Sequence, residues 1–237
     1  MNVISKYKTK KWIDSTAVRP HCSFCRRPNA ACYCEDLTPF ESFPQFVILM
    51  HPQEARKKIA TGRMTHRMLS NSFLFEGVDF SNHAGVNELI EDSRYESFVL
   101  YGGRLSKELA GQDLEQRPGK IPLYFIIDGT WKWAKSMYRQ SENLHQLPAV
   151  RFAPATKSKF HVRRQPEDFC YSTIEAAHYI LNHYHDSKHA PVHNRLLEVF
   201  CKMVHRQMSF GGQKTSGDYS AAKRYYSGSE SGDSTRF

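Results

Sequence analysis

An acidic residue that directly follows a short apolar run is the feature of the chain that most clearly suggests chemistry. Residues 123–127 read Leu-Tyr-Phe-Ile-Ile, and the segment Asp128-Gly-Thr-Trp131 follows them. An apolar run closed by Asp-Gly predicts a buried strand that ends in a turn. Because ligands of α/β proteins bind at the carboxyl ends of strands, Asp128 is a candidate catalytic residue. An alternative interpretation is that Asp128 only caps the helix predicted over 130–138.

Four of the six cysteines form a second group with metal-binding potential. They are Cys22, Cys25, Cys32 and Cys34. In a reducing compartment, such a cluster indicates a metal site more often than disulfides. Four thiolates suit a tetrahedral structural Zn²⁺ and leave no open position for catalysis. Free or oxidisable thiols are the alternative.

The composition indicates the kind of partner. The 237 residues carry a net charge of +9, which predicts a polyanionic partner such as nucleic acid, although a basic protein without one is the alternative. There is no phosphate-binding loop and no dinucleotide fingerprint, which argues against those nucleotide-binding classes. No apolar run approaches the ~18 residues of a membrane span, and no signal core follows the N-terminal lysines. We therefore expect a cytoplasmic protein.

Strand-like and helix-like patterns alternate through the middle of the chain. The predicted strands are Phe46–Met50, Ser97–Tyr101, Leu123–Ile127 and Pro148–Phe152. The predicted helices run over 54–70, over 130–138, from Ser172 onward through a capping box, and over 194–208. This alternation favours an α/β fold with a mostly parallel sheet flanked by helices.

Four regions follow from these patterns. Residues 1–21 form a basic N-terminal arm, 22–38 a four-cysteine knuckle, 39–210 the α/β domain and 211–237 a basic tail. The tail has no Val, Ile, Leu or Met, so it cannot bury enough apolar surface to offset its ordering entropy. We expect the tail to be flexible, or ordered only on a partner.

Several motifs together resemble one family. Asp128-Gly-Thr-Trp131 is similar to the D-x-T-W signature of DTW-domain proteins, which are tRNA-uridine aminocarboxypropyltransferases. The cysteine cluster, His51-Pro-x-Glu54, Thr61-Gly-Arg63, Leu147-Pro148, Phe160-His-Val-Arg163 and Ser172-Thr-x-Glu175-Ala176 match further family motifs in the expected order. The resemblance covers about residues 20–205. Two departures are Ala60, where the family often has Asn, and Phe160, where Tyr is usual.

The resemblance implies a reaction and a fold. The family transfers the 3-amino-3-carboxypropyl group of S-adenosylmethionine to N3 of a uridine in tRNA and releases methylthioadenosine. Its fold is related to the SPOUT methyltransferases and has a C-terminal trefoil knot. Family members act on the variable loop or the D-loop of tRNA, and the motifs do not distinguish these targets.

The resemblance, with the pattern of strand ends, also assigns site residues. Asp128 is the candidate base or the group that orients N3–H, while Trp131 shapes the pocket, stacks on a base, or simply packs in the core. Glu175 either binds the donor or only closes the capping box. The full set expected to bind the donor is Leu100, Tyr101, Gly102, Thr130, Trp131, Leu147, Pro148, Ser172, Thr173 and Glu175.

A set of basic residues is expected to contact tRNA phosphates, although some of them are solvated surface charges on the alternative interpretation. They are Arg26, Arg27, Arg56, Lys57, Lys58, Arg63, Lys132, Arg151, Arg163 and Arg164. Arg163 belongs to the donor pocket on a second interpretation. Two other functions remain open at this stage. One is a SPOUT-like RNA methyltransferase, and the other is a non-catalytic RNA-binding protein with a zinc knuckle.

Overall fold

The computed structural model of the chain describes residues 20–25, 27–57, 59–103, 106–109, 117–152, 171–184 and 190–210. The strands in this part are β1 (Gln45–Met50), β2 (Phe73–Glu76), β3 (Tyr95–Leu100), β4 (Lys107–Glu108), β5 (Ile121–Asp128) and β6 (Ala149–Arg151). The helices are α1 (Pro52–Ala55), α2 (Thr61–Met68), α3 (Ala84–Glu91), α4 (Trp131–Gln140), α5 (Thr173–Tyr184) and α6 (Ala190–Phe210). Short 3-10 helices span Asn29–Ala31, Cys34–Asp36 and Glu142–Gln146.

The described strands form one sheet in the order β2-β1-β5-β3-β6-β4. All of their pairings are parallel, which confirms the predicted α/β class. In the register of the central strands, Met50 of β1 is opposite Asp128 of β5, and Leu100 of β3 is opposite Ile126. Because the strands are parallel, their carboxyl ends meet at one edge of the sheet.

Helices cover both faces of this sheet. On one face, Phe46 and Tyr124 belong to a cluster that includes apolar residues of α2, α5 and α6. On the other face, Val47 and Phe125 pack with residues of α3 and α4. Neighbouring residues of a strand point to opposite faces, so central strands buried on both sides require continuous apolar runs. This explains why the central strands were readable from the sequence.

All four strands predicted from the sequence are present, with shifts at their ends. The segment predicted as Ser97–Tyr101 is β3, which begins two residues earlier, at Tyr95. The segment predicted as Leu123–Ile127 is longer in the structure and includes Asp128 as its last residue. Two short edge strands, β2 and β4, and helix α3 were not predicted. Edge strands bury less apolar surface, so their sequence pattern is weaker.

The single helix predicted over 54–70 is wrong, because the structure has two helices there. Helix α1 ends at Ala55, and Ala60 has an extended backbone immediately before α2 begins. The Arg63 side chain reaches back from α2 and donates a 2.5 Å hydrogen bond to the Ala55 carbonyl. A tertiary contact thus satisfies the end of α1, and the break turns the N-terminus of α2 toward the carboxyl edge of the sheet.

Helices α4, α5 and α6 correspond to the other predicted helices, with boundaries shifted by a few residues. Residues 1–19 of the predicted basic arm (1–21) and the tail over 211–237 lie outside the described residues. Residues 153–170, which lead from β6 toward α5, also lie outside them, so the path of the chain there is not described. None of the helices in the described part is long and apolar enough to cross a membrane.

Candidate active site

Asp128 lies at the carboxyl edge of the sheet, as the sequence pattern predicted. It is the last residue of β5, and its backbone carbonyl accepts a 2.9 Å hydrogen bond from the N–H of His51, the residue after β1. Its side chain is mostly buried, with an exposed fraction of 8%. The carboxylate therefore has a fixed position at the end of a central strand.

Two elements that are distant in sequence hold the Asp128 carboxylate. The Thr173 hydroxyl, at the start of α5, donates a hydrogen bond of 2.5 Å to Oδ1. On the other side, Gly62 of α2 approaches so closely that a Cβ atom built on it would lie 2.5 Å from Oδ2. Only a residue without a side chain allows this approach. The carboxylate is thus enclosed between the first turns of α2 and α5.

A cavity of about 470 Å³ opens beside Asp128. Its volume is in the range of small-molecule sites, which is about 300–1,000 Å³. Asp128 and seven of the residues predicted to bind the donor line it. These seven are Leu100, Tyr101, Gly102, Thr130, Trp131, Ser172 and Thr173. Segments after β3 and β5 and at the start of α5 therefore converge on one site.

Three helices begin at the cavity wall. Thr61 is the first residue of α2, Thr130 precedes α4, and Thr173 begins α5, and all three line the cavity. The first N–H groups of a helix have no partner within it, and the helix dipole adds partial positive charge at that end. The arrangement favours a carboxylate or phosphate group in the cavity.

Three predicted donor contacts are not in the cavity wall. Leu147 is buried in the core on the α3–α4 side, and the Pro148 carbonyl accepts a 3.1 Å hydrogen bond from the N–H of Val99 in β3. Glu175 is also buried, and its carboxylate accepts hydrogen bonds from the Ser172 N–H and hydroxyl at 2.9 and 2.7 Å. These contacts match the capping interpretation, so Glu175 orients Ser172, which does line the cavity.

The cavity wall also contains residues that the sequence analysis did not predict as contacts. They are Thr61, Ile126, Ile127, Gly129, Ala134, Phe152, Tyr171 and Ala176. Ile126 and Ile127 directly precede Asp128 in β5, so their position in the sequence could have indicated that they line the same cavity. Phe152 stacks on Tyr179 at 4.4 Å between ring centroids, and no local pattern indicates that long-range contact.

The basic residues predicted to bind RNA divide into three groups. Lys57, Lys132 and Arg151 line the cavity, and Arg56 is exposed nearby in the sequence. Arg63 is buried and bound to the Ala55 carbonyl, as described above. Arg27 is only 1% exposed and donates a 2.8 Å hydrogen bond to Gln207 of α6, so its guanidinium lies inside the protein. The remaining four, Arg26, Lys58, Arg163 and Arg164, lie outside the described residues.

Lys57 also connects the cavity to neighbouring side chains. Its ammonium is 2.6 Å from the Glu54 carboxylate and lies 5.2 Å from the ring centroid of Trp133. The His51 ring also stacks on Trp133, with the ring centroids 4.5 Å apart and an angle of 4° between the ring planes. Two residues of the segment that follows β1 thus contact Trp133, which helps to hold Lys57 at the cavity rim.

The four clustered cysteines lie together as a metal site requires. Their sulfur atoms are all within 4.8 Å of one another. The Cys22–Cys34 and Cys25–Cys32 sulfur distances are 3.8 and 3.7 Å. Zn–S bonds of about 2.3 Å in a tetrahedron place neighbouring sulfurs about 3.8 Å apart. The donor set and its spacing therefore fit a four-thiolate zinc ion.

The charge state of the thiols also bears on metal binding. Hydrogen bonds from the backbone of Cys25 and Phe24 lower the pKa of the Cys22 thiol to about 6. Burial raises the pKa of the Cys32 and Cys34 thiols. Metal ligands bind as thiolates, so a cation here would bind with release of protons.

The cysteine knuckle is hydrogen-bonded to α6. Arg206 of α6 donates hydrogen bonds of 2.6 Å to both the Cys32 carbonyl and the Asp36 carboxylate. Lys202, one turn earlier, is 3.3 Å from the same carboxylate. Together with the Arg27–Gln207 bond, these contacts join two ends of the chain that are about 170 residues apart.

A parallel α/β sheet with a small-molecule cavity at its carboxyl edge, together with a separate cysteine site, is an arrangement typical of an enzyme. The DTW domain matches residues 19–208, and the chain belongs to the DTW-domain family. It is 33% identical over 179 residues to "tRNA-uridine aminocarboxypropyltransferase 2" of Drosophila melanogaster, which covers 70% of each protein.

Two other proteins with similar names also match the chain in sequence. The protein of the same name from Macaca fascicularis is 27% identical over 70% of this chain, which spans 56% of that relative. The "tRNA-uridine aminocarboxypropyltransferase A" of Arabidopsis thaliana is 26% identical over 226 residues, which cover 83% of this chain and 84% of that protein. No solved structure shows a significant match to the chain.

Proposed function

We propose that the protein is a tRNA-uridine aminocarboxypropyltransferase. It transfers the 3-amino-3-carboxypropyl group of S-adenosylmethionine to N3 of a uridine in tRNA and releases methylthioadenosine. The observation that carries the proposal is the position of Asp128, the acid of the family signature, in the wall of a cavity of about 470 Å³. Family membership and the 33% identity to a curated transferase support it.

The chemistry needs positioning and removal of one proton. The bond between N3 and the donor carbon forms as the carbon–sulfur bond of the sulfonium breaks, and its electron pair stays on sulfur as the neutral thioether. The N3 proton passes to solvent water. Because the sulfonium is already activated, the reacting carbon needs no metal, and alignment of nucleophile and carbon supplies much of the acceleration.

Asp128 is the residue we assign to the uridine N3–H. A free aspartate has a pKa of about 3.9, far below that of an imide nitrogen, so a carboxylate is a weak base for this proton. We therefore propose that Asp128 holds the N3–H by a hydrogen bond and stabilises the positive charge that develops on the uracil as N3 attacks the donor carbon, before the proton leaves. The Thr173 hydroxyl fixes Oδ1, which leaves the orientation of the carboxylate well defined.

The donor carboxylate is assigned to the helix N-termini in the cavity wall. Thr130 precedes α4 and Thr173 begins α5, so the first backbone N–H groups of these two helices can bind an anionic group. The Ser172 and Thr173 hydroxyls are already bound to Glu175 and Asp128. Lys57 and Lys132 lie at the same wall and add positive charge. Trp131 is 52% exposed and is assigned to stacking on a substrate ring at the cavity mouth.

Three further properties belong to the proposal. The cysteine knuckle binds one structural Zn²⁺ through Cys22, Cys25, Cys32 and Cys34, supported by the sulfur spacing. The catalytic domain is SPOUT-like with a C-terminal trefoil knot, for which the support is the family resemblance. The cytoplasmic location remains a prediction from the sequence.

The test traces two labelled groups of S-adenosylmethionine into the products. Purified protein is incubated with tRNA and S-adenosylmethionine labelled either in the methyl group or in the carboxyl group, and tRNA nucleosides are analysed by mass spectrometry. The proposal expects the carboxyl label in tRNA and the methyl label in methylthioadenosine. A methyl label in tRNA would instead identify an RNA methyltransferase. Binding of tRNA without any transfer would support the non-catalytic alternative.

A further inference from the structure

The cysteine knuckle exposes an aromatic side chain to solvent. Phe24, between Cys22 and Cys25, has an exposed fraction of 61%. Among the described residues, the other exposed large hydrophobic side chains are Phe43 at 39% and Trp131 at 52%. An exposed phenyl ring forgoes about 1.5–3 kcal/mol of possible burial, which contact with a flat partner group would recover.

A basic residue holds the Phe24 ring. The guanidinium of Arg67, near the end of α2, lies 5.2 Å from the ring centroid. Its Nη2 also donates a 3.3 Å hydrogen bond to the Phe24 carbonyl. The cation therefore covers one side of the ring and is attracted to its π electrons. The ring is presented in a fixed orientation beside a positive charge.

Helix α2 relates this ring to the active site. Its first residue, Thr61, lines the cavity, and Gly62 packs against Asp128. Arg67 is six residues after Thr61, which corresponds to about 9 Å along the helix axis. Stacked nucleotides rise about 3.4 Å per step, so the length of α2 between Thr61 and Arg67 corresponds to roughly three nucleotides.

We propose that Phe24 stacks on an unpaired base of the tRNA, a few nucleotides from the uridine bound at Asp128. The inference rests on the proposed function, because it takes tRNA as the substrate. Aromatic rings recognise single-stranded RNA by stacking on bases, and Arg beside the ring adds attraction to the backbone phosphates. The net charge of +9 is consistent with such a partner. A flat aromatic ring tolerates any base, so this contact adds affinity without reading the sequence.

The test compares tRNA binding by three variants. Phe24→Ala removes the ring, Phe24→Trp keeps a stacking surface, and Phe43→Ala removes a different exposed ring as the matched control. Phe24→Ala should weaken tRNA binding about tenfold, within the range measured for loss of one stacked base. Phe24→Trp should bind within about threefold of wild type, less than the loss of one stacked base, and Phe43→Ala should bind as wild type does.

Two measurements separate loss of stacking from damage to the knuckle. The zinc content of Phe24→Ala should match wild type. The slope of log Kd against log salt should also be unchanged, because the ring carries no charge, whereas a loosened knuckle would lose ionic contacts and flatten the slope. In transfer assays, the loss should appear in KM for tRNA rather than in kcat.

The proposal is overturned if Phe24→Ala, with zinc intact, binds tRNA as tightly as Phe43→Ala does. It is also overturned if the wild type self-associates through Phe24, seen as a dimer that the alanine variant loses without any change in tRNA affinity. If instead the Phe24 variants behave as expected but no aminocarboxypropyl product forms, the proposed function fails while the stacking contact stands.

Discussion

At the scale of single residues, the position of Asp128 depends on a glycine and a threonine that are remote in sequence. Gly62 allows α2 to approach the carboxylate, and Thr173 donates a hydrogen bond to it from α5. Both contacts restrict the position of the carboxylate. Substitutions at these three positions should therefore affect the rate of transfer more than the fold.

Asp128→Asn should nearly abolish transfer while the fold and donor binding remain. The change keeps the shape of the side chain but removes the charge that holds the departing proton. The loss expected in the single-turnover rate, with saturating tRNA and donor, is about 10²–10⁴-fold. If the side chain only accepts the structural hydrogen bond from Thr173, Asn serves nearly as well, because its amide oxygen can accept the same bond. A single-turnover rate within about threefold of wild type would therefore assign Asp128 a structural role.

Gly62→Ala should impair transfer by displacing Asp128. The new Cβ would lie 2.5 Å from Oδ2 and 2.8 Å from Cγ, so the carboxylate or the start of α2 must move. A displacement of about 1 Å can reduce a rate about 100-fold. The matched control is Gly103→Ala, whose Cβ would be no closer than 3.4 Å to its nearest neighbour, the Ser106 hydroxyl. Equal single-turnover rates for the two variants would show that α2 adapts and that Gly62 does not set the position of Asp128.

At the scale of elements, the knuckle and α6 form one unit although they lie near opposite ends of the chain. Arg206 binds both the Cys32 carbonyl and the Asp36 carboxylate. A hydrogen bond that involves a charged group contributes about 1.5–3 kcal/mol, more than an exposed ion pair. The unit also lies beside α2, through the contact of Arg67 with the knuckle.

Arg206→Ala should reduce the free energy of unfolding by about 1–3 kcal/mol and speed the release of zinc to a chelator. The matched control is Arg94→Ala, which removes a guanidinium that is 75% exposed and bound to its near neighbour Asp92. That control should leave the unfolding midpoint essentially unchanged, because an exposed ion pair contributes little to stability. Equal unfolding midpoints in denaturant for the two variants would contradict the anchoring role of Arg206.

Metal analysis tests the knuckle itself. Purified protein should contain about one zinc per chain, as four thiolate ligands imply. Removing the metal, or replacing Cys22 with serine, should unfold the knuckle and weaken tRNA binding, since folding of such sites depends on the ion. The assignment is wrong if stoichiometric zinc remains after Cys22 and Cys25 are both replaced.

At the scale of the whole molecule, the positive charge is placed where RNA would meet the cavity. Lys57, Lys132 and Arg151 line the cavity, which also receives three helix N-termini. Each phosphate contact releases counterions, so electrostatic binding weakens as salt rises. The net charge of +9 therefore predicts a polyanionic partner whose binding weakens as the salt concentration rises.

The affinity for tRNA should fall steeply between low and physiological salt. Neutralising one phosphate contact, as in Lys132→Gln, should reduce the slope of log affinity against log salt by about one unit. Lys120→Gln is the matched control, because Lys120 precedes the first residue of β5 and lies at the opposite edge of the sheet. An affinity that barely changes with salt would remove the electrostatic argument.

The sequence by itself determined the local features. Continuous apolar runs predicted the central strands, because strands buried on both faces need apolar residues at every position. The close spacing of the four cysteines predicted that their sulfurs would lie together, and the Asp-Gly turn placed Asp128 at a strand end. All of these depend on residues that are close together in the chain, so the pattern is visible without the fold.

Only the tertiary structure decided which distant residues meet. It placed Gly62 and Thr173 on either side of Asp128, and it broke the predicted helix over 54–70 so that α2 points at the site. It also buried Arg27 and Arg63, which the charge pattern had assigned to RNA. The reason is physical: the charge of a side chain is read from its type, whereas its burial depends on how helices pack across the sheet, and no local pattern encodes that packing.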